Sequence, residues 1–395
     1  MEFVLRLGRA LHEAGTASHR LEDALAAVSV QLGLTASFFS TPTSLLVAFG
    51  EEGAAQKTCL LRAEPAELNL ERLVRIDEIA TRVGSAEMSA EQGAIELNRI
   101  GAIRPRYGPL TTIGASAVAS AGAAVFLGGG VADIGAAGMV GLAMGILIRF
   151  AQPRRELWRA VEIVGGMVAA VLALVAERYI PGAQSAVITV SGVIMLLPGL
   201  TLTLAMSELA TRHLVSGSAR LIFALMILIL ISLGVAIGRQ VAPLLPPPDG
   251  IAATPLPPWA MVIALMLVPL AFTVLFKARP RDYVPIAIAG AIGIIGAAIG
   301  LRLVGPDLAA GAGAFAVGAF GNLYARVFRR PSSVPKLPGI VLLVPGAIGF
   351  RSLEAFLQRD TLAAIDTGFS MIIVAVSLAA GLLLANVAVQ SRKTL

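Results

Sequence analysis

From Pro109 onward the chain is a succession of apolar stretches, each long enough to cross the hydrocarbon of a bilayer, which takes about 20 helical residues. Ten can be delimited. The first five are Leu110 to Leu127, Val131 to Ile148, Ala160 to Ala176, Ser185 to Leu209 and Leu221 to Gly238. The second five are Trp259 to Phe276, Val284 to Leu301, Leu308 to Tyr324, Leu337 to Leu357 and Thr367 to Ala388. Inside lipid every backbone amide must be satisfied within the protein, so segments of this length are read as helices. With 56% hydrophobic and 14% charged residues, and a mean hydropathy of +0.82, the chain has more apolar surface than a soluble core can bury. The predicted fold is a polytopic α-helical membrane protein with ten transmembrane helices and a small N-terminal cytosolic α+β domain.

The fourth and ninth stretches share an interruption. Leu196-Leu197-Pro198-Gly199 and Leu343-Val344-Pro345-Gly346 lie 147 residues apart, and the same offset carries the other first-half stretches onto or near second-half ones. Five is odd, so the second copy enters the membrane from the opposite side. The expectation is a 5+5 inverted repeat with discontinuous fourth and ninth helices. Proline lacks an amide hydrogen and glycine tolerates non-helical angles, so each span is expected to split there. The freed amides of a half-helix attract an anionic group. The candidate substrate-binding residues are therefore Pro198, Gly199, Thr201, Thr203 and Ser207 at the first break, and Pro345, Gly346, Arg351 and Ser352 at the second. Asn322 joins them as either a substrate contact or a helix–helix hydrogen bond. The competing reading is a plain proline kink with satisfied neighbours. Glu208 and Glu354, which follow the breaks, and Asp366 are the carboxylates suited to proton coupling, although solvated span ends would look the same in sequence. Asp133 reads as a cap at a helix start.

Charge sets the orientation. Residues 1–98 hold 8 Lys/Arg against 14 Asp/Glu, and the remainder holds 23 against 11, so the basic excess lies wholly in the hydrophobic part. That distribution disfavours nucleic acid as a partner. Of the 23, 18 fall on one set of alternate loops, Lys336 among them, and only Arg178, Arg239, Arg302, Arg351 and Arg359 fall on the other. Basic loops stay in the cytoplasm, which places both termini there. The domains expected are 1–105, cytosolic; 106–242, the first membrane repeat; 243–258, a Pro-rich linker; and 259–395, the second repeat.

In residues 1–98, Phe3-Val4-Leu7 and Leu21-Leu25-Val28-Leu32 have helical spacing, and Gly15 separates the two helices. Ser37 to Phe49 and Thr58 to Arg62 read as β-rich runs around a Gly50 to Gly53 turn, and helices follow over Glu67 to Val83 and Ser89 to Ile100. Ser18, His19, Arg20, Glu22, Thr41, Thr43 and Ser44 were weighed as chemistry. No serine sits in a nucleophile elbow, so helix capping by Thr16 or Ser18 and a turn at Thr41-Pro42-Thr43 are the plainer reading. Cys59 is the only cysteine and reads as a small buried hydrophobe; with His12 and His19 unaccompanied, neither a metal nor a cofactor is expected.

Five segments carry a resemblance. Glu13-Ala-Gly-Thr-Ala-Ser-His-Arg-Leu-Glu22, Phe39-Ser-Thr-Pro-Thr-Ser-Leu45, Gly318-Ala-Phe-Gly-Asn-Leu-Tyr-Ala-Arg326 and the two Pro-Gly segments together resemble the threonine/serine exporter family. The resemblance implies proton-driven efflux of small hydrophilic metabolites across the bacterial inner membrane. Similar proteins split into two chains are associated with dicarboxylate export, so the small-molecule partner is an amino acid or a dicarboxylate. An oligomer is compatible with the small-residue faces. A membrane-bound hydrolase acting through the N-terminal residues and a passive channel are the rival classes, and a regulatory or gating role is the more natural one for the N-terminal domain.

Overall fold

The computed structural model describes residues 1–51, 53–62, 68–101, 105–247, 254–343, 346–357 and 360–390. Pro345 of the second break, and residues 248–253 of the Pro-rich segment, lie outside the described residues.

The N-terminal part follows the apolar periodicity. Helices α1 (Glu2–Glu13) and α2 (Ser18–Gln31) are separated at Gly15, whose φ of 82° is one glycine accepts without strain. The run Ser37 to Phe49 is folded back at Pro42 into β1 (Ala36–Thr41) and β2 (Ser44–Phe49), and β3 (Lys57–Arg62) completes an antiparallel sheet in the order β1-β2-β3. Helices α3 (Leu70–Gly84) and α4 (Ala90–Gly101) follow. Leu45, Val47 and Phe49 alternate inward from β2 onto Phe3, Leu7, Leu11, Leu21 and Leu25. Cys59 is half-buried rather than buried.

This part is fastened to the rest. Its core continues through Ala278 and Ile286, and the first amides of α3, Leu70 and Glu71, donate to the Phe276 and Lys277 carbonyls at 3.0 and 3.2 Å. Helix amides of the first turn lack internal partners, so these bonds cap α3 from outside. Arg106 and Arg75 both pair with the buried Glu71.

The remaining helices are α5 (Pro109–Phe126), α6 (Val131–Ala151), the short α7 (Arg155–Arg159), α8 (Val161–Tyr179), α9 (Ser185–Gly192), α10 (Gly199–Ala210) and α11 (Leu214–Arg239), then α12 (Trp259–Leu275), α13 (Tyr283–Leu303), α14 (Pro306–Phe328), α15 (Ser333–Val341), α16 (Gly346–Leu357) and α17 (Thr361–Ala388). Among the described residues, seven helices are long and apolar enough to cross a membrane by length and composition. Large apolar side chains such as Met139, Ile222, Phe223, Met226, Ile295 and Phe369 stand exposed along them, as lipid-facing surfaces require. The protein is a polytopic helical membrane protein. Asp133 caps its own helix, accepting from Gly130 N–H at 2.8 Å and bracing Gln184 N–H at 2.7 Å.

α8 packs on α11 and α14 on α17 through glycine. A Cβ placed on Gly234 would lie 2.1 Å from the Ile163 carbonyl oxygen, and one on Gly381 would lie 2.2 Å from that of Gly311. Backbone cannot yield as a side chain does. Gly234→Ala and Gly381→Ala are therefore expected to lower stability by roughly 1–3 kcal/mol or more. Gly135→Ala on α6, where nothing stands within 4 Å, is expected to be neutral or mildly stabilising. Apparent melting temperatures in detergent check the contrast.

Candidate functional site: a cationic cavity between the N-terminal part and the broken helices

Both predicted breaks are present. α9 ends at Gly192 and α10 restarts at Gly199, while α15 ends at Val341 and α16 restarts at Gly346. The two restarts touch: a Cβ on Gly346 would lie 3.4 Å from the Gly199 Cα. Pro198 and Gly199 are buried.

From the first break a cavity of about 60 Å³ runs along α10, between α15, α17 and the α1–α2 junction. At roughly 10–15 Å³ per water it has room for about four to six of them. Leu200, Thr203 and Ser207 face it from successive turns of α10, as the helical period dictates. Thr201 is half-buried and does not line it. Opposite stand Thr16, His19 and Arg20 from the α1–α2 junction, and Ser333 and Lys336 from α15.

Lys336 departs from the sequence expectation. It was counted on a cytoplasmic loop, yet it sits within α15 and is 6% exposed. Its ammonium donates to Asn322 Oδ1 at 2.9 Å and Asn386 Oδ1 at 3.5 Å, and Asn322, itself fully buried, donates to Asn386 Oδ1 and the Val389 carbonyl at 2.9 and 2.8 Å. Asn322 thus orients the lysine and does not itself line the cavity. Gly321 makes the space: a Cβ there would lie 3.2 Å from Lys336 Cβ and Cε. No ion pair to Lys336 occurs among the described residues. The signal in the sequence was a charge embedded between prolines at the head of an apolar stretch.

Three residues that line the same cavity, Thr16, His19 and Ser333, each carry a buried polar atom, Oγ1, Nδ1 and Oγ respectively, with no partner among the described residues. Such atoms are uncommon in folded proteins and mark places where a ligand or water belongs. Arg20, in contrast, is engaged, donating to Ser332 Oγ at 2.8 Å beside Asp23 and Asp77. No carboxylate lines the cavity among the described residues.

Glu208 lies beside it, fully buried, at the junction with α2. It accepts from Ser18 N–H at 2.8 Å, Ser216 Oγ at 2.7 Å and Arg220 Nε at 3.0 and 3.1 Å. The expected cap of α2 by Thr16 or Ser18 is absent; the carboxylate 190 residues away supplies it. Ser18 Oγ meets Ser216 Oγ at 2.7 Å rather than a histidine, and His12 Nε2 meets the Pro42 carbonyl at 2.9 Å while the His19 ring rests 5.9 Å from that of His213. At the second break Glu354 pairs with Arg239, Ser352 donates to the Ala364 carbonyl at 2.7 Å, and Arg351 and Asp366 are exposed. None of these four lines the cavity.

Long apolar helices, two of them interrupted beside a polar cavity, define a polytopic helical membrane protein. Residues 2–242 match a family model described as a threonine/serine exporter, and residues 261–388 match a second one, "Threonine/Serine exporter, ThrE". The chain belongs to the threonine/serine exporter family. An uncharacterized protein of Schizosaccharomyces pombe is 24% identical over 87% of this chain and 43% of its own length. Pheromone-regulated membrane protein 10 of Debaryomyces hansenii is 25% identical over 89% of this chain and 36% of its own, and that of Eremothecium gossypii is 25% identical over 89% and 48%. The chain thus spans less than half the length of these relatives. No solved structure matches it.

Burial lowers the His19 pKa from 6.5 to about 3 and lowers that of His12, so both are neutral at pH 7. Below 6.5 the unfolded chain takes up protons that the folded one refuses, so stability falls as the pH drops from about 6.5 towards 3. Glu71, held at about 2 chiefly by its bonds to Arg106, contributes stability that is lost only below 4.5. Glu22, raised by burial, acts in the opposite sense. Melting temperature should therefore decline between pH 7 and pH 5, and His19→Gln should flatten that decline relative to the unaltered protein.

Proposed function

We propose that the protein is a secondary exporter of small hydrophilic carboxylate-bearing metabolites, with threonine and serine first and dicarboxylates of the succinate type as the alternative. The observation that carries this reading is the cavity. It is lined by Gly15, Thr16, His19 and Arg20 of the Glu13 to Glu22 segment, by α10 just beyond the first Pro-Gly break, and by Lys336, which Asn322 of the Gly318 to Arg326 segment holds. It offers cations, hydroxyls and an imidazole, and no competing carboxylate among the described residues. A substrate carboxylate meets both the charge and the spare donors there.

The architecture supporting this reading is ten spans in a 5+5 inverted repeat. α10 and α16 begin at Gly199 and Gly346, and α11 and α17 at Leu214 and Thr361, each 147 residues apart. Gly234 and Gly381, the glycines that touch a neighbouring backbone, differ by the same number. Contacts are reciprocal across the halves, α10 with α17 and α16 with α11. Two such halves with touching breaks suit alternating access to a site near the bilayer midplane. The charge count puts residues 1–105 and both termini in the cytoplasm, and the membrane would be a bacterial inner membrane.

For proton coupling, Glu208 is the strongest of three carboxylates. It alone is fully buried, and it joins α2 to α10, so a proton arriving there would loosen the N-terminal part from the membrane helices. Glu354 and Asp366 are the other candidates.

Counterflow of labelled threonine, serine and succinate in proteoliposomes tests the reading. An exporter gives saturable, trans-stimulated flux. Flux that neither saturates nor responds to a proton gradient would indicate a channel, and a hydrolytic turnover abolished in Ser18→Ala or His19→Ala with Glu208 dispensable would indicate a hydrolase. Glu208→Ala, which strands Arg220, is expected to cost about 3–5 kcal/mol of stability. Glu208→Gln keeps the shape and is expected to retain exchange while losing gradient-driven efflux.

A further inference from the structure

Lys336 poses a question that the fold leaves unanswered. Moving an ammonium out of water costs several kcal/mol, and proteins offset that cost with a counter-ion. Among the described residues Lys336 has two amide oxygens as acceptors, and Arg20, a like charge, acts on it. The site is nonetheless built with care. Gly321 clears the stem, Asn322 fixes the head, and Asn322 is itself held by Asn386 and the Val389 carbonyl. An ionisable side chain maintained inside a membrane helix without a counter-ion among the described residues is waiting for one that is not protein.

The atoms around it complete the description. Across the cavity from α10, Ser333 Oγ lies one helical turn from Lys336, on a residue 2% exposed, and is unpartnered. Thr16 Oγ1 and His19 Nδ1 are unpartnered too, and they belong to the N-terminal part. Thr203, by contrast, is spent on its own helix, donating to the Gly199 carbonyl at 3.1 Å. Buried spare hydrogen-bonding capacity thus lies on α15 and on the α1–α2 junction.

We infer that Lys336 is the counter-ion of the substrate carboxylate, and that Thr16, His19 and Ser333 hold the substrate's remaining polar groups, so the N-terminal part supplies half of the binding site. This rests on the exporter reading and sharpens it. The carboxylate sits against α15 rather than against Arg351, which is exposed. The substrate bridges the α1–α2 junction and the membrane helices, and its departure breaks contacts to both. With no carboxylate lining the cavity among the described residues, an α-ammonium group would be met there by hydroxyls, the neutral imidazole and backbone carbonyls. A second carboxylate would instead find Arg20, which also lines the cavity.

Binding to the purified full-length protein in nanodiscs tests this, with labelled threonine, serine and succinate as probes and threonine amide as the probe that lacks a carboxylate. Lys336→Gln is expected to weaken binding of the carboxylate probes by roughly ten- to hundredfold, the scale of a hydrogen bond to a charged group. It should leave threonine amide unchanged and should not lower the melting temperature of the ligand-free protein. Thr16→Val and Ser333→Ala are each expected to weaken binding by about two- to tenfold. Succinate affinity reduced by Arg20→Gln together with Lys336→Gln would place the dicarboxylate; threonine affinity insensitive to Arg20→Gln would place the amino acid. Equal loss of threonine and threonine amide in Lys336→Gln, unchanged affinity in that variant, or no binding of any probe by the unaltered protein overturns the inference. Should Lys336→Gln fail to fold, unchanged affinity in both Thr16→Val and Ser333→Ala overturns it instead. Saturable counterflow with an unchanged KM in Lys336→Gln sinks this site and leaves the exporter standing, whereas Lys336-dependent binding without counterflow does the reverse.

Discussion

A carboxylate with no access to water must be met by donors on every side, and Glu208 finds them in Ser18 N–H, Ser216 Oγ and Arg220 Nε. Two of these belong to α11 and one to α2, so a single side chain ties the end of α10 to the next membrane helix and to the N-terminal part. The arrangement has a cost on each side. The Ser18 amide at the start of α2 would be orphaned without the carboxylate, and the carboxylate would lose one of its donors without it. Because each needs the other, the α1–α2 junction is held against the membrane helices and not left to swing on its linker. Everything at the cavity follows from that placement, since Thr16, His19 and Arg20 reach it only because Ser18 is fixed.

A second constraint acts from the membrane side. Interrupting a helix in lipid frees backbone groups that only protein or a wet cavity can satisfy. Here the two interruptions are stacked on each other at Gly199 and Gly346, so each shields the other, and the polar space lies to one side, along the first turns of α10. The break therefore serves less as the ligand site itself than as the wall that lets α10 start beside a cavity. Lys336 enters from the helix that precedes the other break, which makes both interruptions necessary to form one site.

How much of this was legible beforehand depends on the distance over which each feature is decided. The split of α9 from α10 was readable at Pro198-Gly199 because proline and glycine act through their own backbones. The same holds for the helix starts and for the alternation in β2. The role of Glu208 was not readable, because its meaning is set by Ser18, 190 residues earlier. Lys336 was counted with a loop because it stands just before the apolar stretch that begins at Leu337, yet Pro335 and Pro338 are both accommodated within α15. Asn322 left two readings open, and the geometry favours the hydrogen bond, though one that serves the cavity at second hand. Arg351 looked apt by charge alone, and only three dimensions show that its helix turns it outward.

On the repeat reading the two breaks are equivalent in backbone and unlike in chemistry. The offset of 147 carries Thr203 onto Phe350, Lys336 back onto Thr189 and Asn386 back onto Arg239. Phe350 is fully buried in the core formed by α6, α8, α9, α10 and α11, and Arg239 is taken up by Glu354. The counterpart of the polar cavity is thus packed shut with an aromatic ring and an internally neutralised charge. A rocking motion that exchanged the two halves would have to draw Phe350 from that core while closing α10 over Lys336. The substrate would then leave a site with an uncompensated cation for one whose cation already has a partner. A carboxylate binds less well in the second environment than in the first. On this view the duplicated backbone supplies the motion, and the substitutions between its copies make the two ends of that motion unequal for an anion.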